Sequence, residues 1–185
     1  NETNTYKKLK NSPKNNYPEM IIVHHSGGTD ANPLADTSHH TAQIMEEHHL
    51  SLGWYGLGYN YVIHKNGDVW LGRPEHVEGA HTVGYNQKSI GICLAGNFDA
   101  TMPTKEQESA LKKLMMEIKS RYVVIENNIY PHRRFASKTC YGKLLKDTWA
   151  LDLLKEDQKQ NGQDDGIKQR IIKLLEKLLE EIKNI

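Results

Sequence analysis

Cysteine is scarce in this chain, with two, Cys93 and Cys140, among 185 residues. That excludes the disulfide framework of a small secreted domain, and each thiol must be read as buried, reactive or metal-binding. No apolar run approaches the length of a membrane-spanning helix, and the mean hydropathy is -0.69. An excess of one charge is also missing: Lys and Arg number 24 against 23 Asp and Glu. A dedicated nucleic-acid binder would carry a strong basic excess, so no nucleic-acid partner is expected. The length excludes two large domains and suits one core with a modest appendage. No charged-then-apolar leader opens the chain, so no signal peptide is expected among these residues. Histidine, by contrast, is plentiful at 10 residues, which makes metal worth testing.

Residues 1–18 carry Lys7, Lys8, Lys10 and Lys14 against Glu2 without apolar periodicity. They read as a basic, weakly ordered arm, either a solvated lead-in or a contact for an anionic cell-wall surface. Met20-Ile21-Ile22-Val23 is a β-branched run fit for a buried strand, ending at the polar loop His24-His25-Ser26-Gly27-Gly28. Thr37 and Ser38 can cap a helix to about Leu52. Residues 59–64 and 69–72 read as strands joined by a hairpin at Asn66-Gly67, and residues 89–96 as another buried strand. Thr104 and Gln107 suit a capping box for a helix to about Tyr122, with Leu111, Leu114, Met115 and Ile118 on one face. The mixture predicts an α/β fold, a mixed β-sheet flanked by helices.

Irregular segments around 129–142 precede a last core helix over 144–154, and the domain is expected to span 19–154. Residues 155–166 are polar and read as a linker. Residues 167–185 repeat Ile and Leu at helical spacing, predicting an amphipathic C-terminal helix. Its apolar face would bury against the parent domain, form a homo-oligomer, or rest on a membrane surface.

A lone His or Cys is normally structural, and only a combination signals chemistry. His132 and Cys140 share one loop region and His24 ends a central strand. Together they offer two imidazoles and a thiolate, a workable zinc set with a fourth position for water. On spacing alone His25, His39, His40, His48, His49, His64, His76 and His81 compete for the same role.

The runs IIVHHSGG, GWYGLGYNYVIHKNGDVWLGRP, EGAHTVGYNQKSIGICLAGNF and PHRRFASKTCYG occur in this order between about Met20 and Leu154. Together they resemble the type 2 N-acetylmuramoyl-L-alanine amidase and peptidoglycan recognition protein superfamily. Within it the likeness is strongest to short phage endolysins, because Lys138 stands two places before Cys140. The resemblance implies a peptidoglycan groove holding one zinc ion on His24, His132 and Cys140. It also implies catalytic roles for Tyr59 and Lys138, Tyr59 orienting the attacking water or the tetrahedral intermediate and Lys138 offsetting the oxyanion. Asn60, which stands where many relatives carry His, together with Arg73 and His81, is expected near the substrate; Trp54, Tyr55, Trp70 and Asn86 lie in segments suited to the groove. Cys93, inside an apolar strand, is expected to pack. The implied function is hydrolysis of the amide between the lactyl group of N-acetylmuramic acid and L-alanine, by a phage or prophage endolysin or a bacterial autolysin. The alternative is a module that binds peptidoglycan without cutting it. Either would act at the bacterial cell wall, outside the cell or on release at host lysis.

Overall fold

The computed structural model describes residues 1–29, 31–125, 127–155 and 171–175. The chain divides into two compact units, Asn1–Leu151 and Asp152–Ile185. In chain order the first contains α1 (Asn4–Leu9), β1 (Met20–His25), α2 (Ala42–Ser51), β2 (Tyr61–Ile63), β3 (Val69–Leu71), β4 (Ser89–Leu94), α3 (Lys105–Arg121) and β5 (Ile129–Pro131). The strands form one mixed five-stranded sheet in the order β3-β2-β4-β1-β5, flanked by helices. The α/β expectation therefore holds.

β1 is parallel to both of its neighbours, β4 and β5, and β4 is parallel to β2. A strand covered on both faces needs continuous apolar residues, and Ile21, Ile22 and Val23 are fully buried, as are Ile90 and Ile92 of β4. The β2–β3 hairpin turns at Asn66-Gly67, where the His64 N–H donates to the Asp68 carbonyl. α3 begins with the Thr104–Gln107 capping box and buries Leu111, Leu114, Met115 and Ile118. Trp70, Val62, Cys93 and His24 are successive cross-strand partners, so they share one sheet face. Ala42 and Met45 of α2 pack on that face with Val62 and Cys93.

Several boundaries move. α2 is capped by Thr41, not by Thr37 or Ser38, because Thr41 Oγ1 accepts from the Ile44 N–H while Thr37 is buried in a hydrogen bond to the Gly27 carbonyl. The last helix of the core begins at 149 rather than 144, with turns before it. Residues 171–175 are helical and expose Ile171, Ile172, Leu174 and Leu175. Residues 156–166 of the expected linker, and the rest of the C-terminal amphipathic segment, lie outside the described residues.

The N-terminal arm is not weakly ordered. The Thr3 N–H donates to the Leu71 carbonyl and the Asn1 carbonyl accepts from the Leu71 N–H, so the arm covers the edge strand β3. The buried Glu46 carboxylate accepts from the Thr5 hydroxyl and from the Asn4 and Thr5 amides, which are first-turn donors with no partner inside α1. Asn16 is buried, donating to the Glu75 and Ser89 carbonyls. These anchors are polar and long-range, so apolar periodicity could not reveal them. Lys7, Lys8, Lys10 and Lys14 remain exposed.

Candidate metal centre

In a parallel sheet the carboxyl ends of neighbouring strands meet at one edge, a recurrent place for ligand sites. β1 and β5 are such neighbours, with Val23 paired to Pro131. The next residues are His24 and His132, and their rings lie 4.4 Å apart. Cys140 arrives on the loop after the His132–Arg134 turn. Its sulfur accepts from the His25 N–H at 3.4 Å, and its carbonyl accepts from the Arg133 N–H at 2.6 Å. One ligand atom from each of His24, His132 and Cys140 lies within 4.8 Å of the other two.

Residues that the motif reading did not single out hold this loop. The Arg133 guanidinium donates to the Gly142 and Leu145 carbonyls, each at 2.6 Å, and more distantly to the Thr139 carbonyl at 3.4 Å. Asp99 accepts from the Thr139 hydroxyl at 2.6 Å and from the Lys143 N–H at 2.7 Å. Gly142 has φ +112° and lies on Phe98, where a Cβ would collide with backbone. The PHRR run displayed Arg133, but only the loop's return toward β5 gives it a task.

The three residues lie in a cleft of about 610 Å³ that Tyr59, His81, Trp54 and Lys138 also line. The Tyr59 ring packs 5.1 Å from His24 and against the core cluster that contains the buried Cys93. Burial raises the Tyr59 pKa well above its ordinary value, so the hydroxyl stays a neutral donor. Lys138 is exposed at the cleft wall, and its charge acts on His24, His132 and Cys140. A second hollow of about 470 Å³ adjoins through Ser26, Thr29 and Tyr59 and is lined by His40, His48 and His49.

Burial, followed by neighbouring positive groups, pushes the His24 pKa well below the ordinary imidazole value. Burial and then Lys138 lower His132 to about 4, and burial pushes the Cys140 thiol up to about 12. At neutral pH the site therefore offers neutral imidazoles with lone pairs and one thiol that a cation can deprotonate. Two nitrogens, one sulfur and an open side toward the cleft suit a soft-tolerant divalent ion in a tetrahedral site.

The expected substrate contacts fare differently. Asn60 is buried; its amide donates to the Arg73 and Pro74 carbonyls and accepts from the Gly91 N–H. Arg73 donates to the Leu57 and Glu78 carbonyls and does not line the cleft. Both brace backbone, because buried carbonyls there need donors. His81 does line the cleft, but its Nδ1 lies 3.1 Å from His24 Nε2 and its Nε2 3.4 Å from Ser89 Oγ, so both nitrogens are engaged. Trp54 stacks on His49 at 4.5 Å. Tyr55 is exposed, Trp70 packs beside the core, and Asn86 accepts from the His81 and Thr82 amides. Cys93 is fully buried.

A family model described as N-acetylmuramoyl-L-alanine amidase matches residues 14–143. The chain is 36% identical over 128 residues to peptidoglycan-recognition protein SC2 of Drosophila melanogaster, covering 69% of this chain and 70% of that protein. It is 34% identical over 110 residues to the endolysin of Klebsiella phage KP32, covering 57% and 72% respectively. Among solved structures, the N-acetylmuramoyl-L-alanine amidase LysC from Clostridium intestinale superposes with a TM-score of 0.67 at 28% identity, covering 85% of this chain and 95% of that one.

Proposed function

The chain belongs to the type 2 N-acetylmuramoyl-L-alanine amidase and peptidoglycan recognition protein superfamily, and on that premise we propose that it is a zinc-dependent amidase of bacterial peptidoglycan. The observation that carries this reading is the grouping of His24, His132 and Cys140 within 4.8 Å at the cleft that Tyr59 and Lys138 line. The bond cleaved is the amide between the lactyl group of N-acetylmuramic acid and L-alanine of the stem peptide.

An amide is a weak electrophile with a poor leaving group, so its hydrolysis needs an activated water, a stabilised oxyanion and a proton donor. A zinc ion on these three residues supplies Lewis acidity, which makes water nucleophilic near neutral pH and polarises the scissile carbonyl. Tyr59 keeps its proton and donates a hydrogen bond to the oxygen on which charge develops. Lys138 adds a positive charge at the same wall, where its solvent exposure leaves it free to follow the substrate. Arg133 and Asp99 hold the loop that carries Cys140, so the thiol need not be ordered during the reaction.

The likeness to a phage endolysin, and Lys138 two places before Cys140, favour a lytic enzyme of phage or prophage origin, or an autolysin, acting at the cell wall. The likeness to a peptidoglycan-recognition protein supports the second reading, binding without cleavage. A donor set complete in His24, His132 and Cys140 favours the enzyme. Mass spectrometry of digested peptidoglycan decides between them. Free stem peptides beginning with L-alanine, absent with Cys140→Ser and after chelation, are expected; bound but intact peptidoglycan would assign the recognition role.

A further inference from the structure

His24 can hold a metal only through a ring nitrogen that carries no proton, so something must fix which nitrogen that is. The hydrogen-bond chain behind it does so. Ser89 Oγ donates its single proton to the Tyr85 carbonyl at 2.7 Å. Toward His81 Nε2, at 3.4 Å, the same oxygen is therefore an acceptor, and His81 Nε2 bears the proton. A neutral His81 then presents a lone pair at Nδ1, 3.1 Å from His24 Nε2. Thr82 Oγ1 lies 3.1 Å from His81 Nδ1 and 3.5 Å from His24 Nε2, where its oxygen takes a second, longer share of the His24 Nε2–H.

We propose that His81 is the positioning residue of the metal site: by accepting from the His24 Nε2–H it leaves His24 Nδ1 as the ring nitrogen free to bind the cation. The inference rests on the metal reading given above and adds the residues that orient its first ligand. The His81 ring is itself held in a made-to-measure slot. A Cβ on Gly91 would stand 2.5 Å from His81 Cδ2, and one on Gly79 2.6 Å from the same atom. These two positions need glycine because the imidazole occupies the space. Asn86 Oδ1 completes the slot by accepting from the His81 and Thr82 amides, at 2.9 and 2.8 Å.

Two measurements test the assignment. In the metal-free protein, long-range nitrogen–proton NMR correlation at neutral pH is expected to show both His24 and His81 protonated on Nε2. Zinc affinity, from chelator competition, is expected to fall about 10–100-fold in His81→Leu, which fills the slot but accepts no hydrogen bond. His81→Asn, whose amide oxygen can stand near the position of Nδ1, should recover most of that loss. Ser89→Ala, which leaves His81 in place, should weaken zinc and mix the His81 tautomers, and it carries the test should His81→Leu not fold. A His24 protonated on Nδ1, or a folded His81→Leu with wild-type zinc affinity, would overturn the positioning role. A wild-type protein that takes up no zinc would instead overturn the metal reading, while the metal-free tautomers would still decide the relay.

Discussion

Replacing Arg133 with alanine should cost about 3–6 kcal/mol of unfolding free energy in the metal-free protein, if each short bond from the charged guanidinium contributes about 1.5–3 kcal/mol. Two bonds qualify, to the Gly142 and Leu145 carbonyls at 2.6 Å each, whereas the contact to the Thr139 carbonyl at 3.4 Å is too long to add much. The ion pair to Asp147 is as short, but the Asp147 side chain is 68% exposed. Solvent screening reduces such a pair to about 0–1 kcal/mol, so Asp147→Asn should be nearly silent. The guanidinium also lies over the Tyr141 ring at 5.4 Å, a smaller term of about 0.5–1 kcal/mol. Arg133→Lys keeps the charge and loses the planar fork, so it should recover less than half of the loss. Urea unfolding with chelator present measures the stabilities, and competition for zinc measures the site, which should weaken with the loop. An Arg133→Ala protein within about 1 kcal/mol of wild type, with unchanged zinc affinity, would refute the claim that this side chain holds the Cys140 loop.

Acid should unfold the metal-free protein through its buried histidines. His25 has its pKa lowered from 6.5 to about 4, chiefly by burial. The unfolded chain therefore binds more protons between these values. The stability is complete above pH 6.5 and falls as the pH drops toward 4, by up to about 3 kcal/mol for this group. Thermal melts across that window that show no loss would contradict the assignment. Zinc uptake near pH 6 should release one proton, from Cys140, because its thiol sits at about 12 while His132 is already neutral above about 4. Calorimetry in buffers of different ionisation enthalpy counts that proton, and a count of zero would exclude the thiolate as a ligand. Changing Lys7, Lys8, Lys10 and Lys14 to Gln should weaken sedimentation with cell walls at low salt and have little effect at about 0.5 M, where charges are screened within a few ångströms. Equal binding at low salt would remove the arm from the wall contact. Removal of residues 156–185 should lower the number of chains per particle in sedimentation if the exposed apolar residues at 171–175 mediate self-association, and an unchanged number of chains would exclude that role.

Much of the fold follows from patterns confined to a few neighbouring residues. The β-branched run before His24 forms the central strand, Asn66-Gly67 turns the hairpin, and the Thr104–Gln107 box starts the long helix. Each rests on side-chain period or turn chemistry, which a linear sequence displays directly. The spacing of His24, His132 and Cys140 left many histidines in competition, and the family resemblance implied the set that two strand ends and a loop bring within 4.8 Å.

What the linear pattern could not display are polar bonds between distant residues. Thr5 meets Glu46 from 41 positions away, which turns a charged arm into an ordered cover for the sheet edge. Asn60 and Arg73 look like groove residues beside Tyr59, yet the backbone carbonyls around them draw both side chains inward. His81 stands 57 positions from His24 and becomes its partner only because Gly79 and Gly91 leave room for its ring. Local residue patterns sufficed for the strands, the long helix and the donor types. Which side chains brace backbone and which line the cleft was settled only in three dimensions, because hydrogen-bond partners come from chain segments that meet only after the sheet has formed.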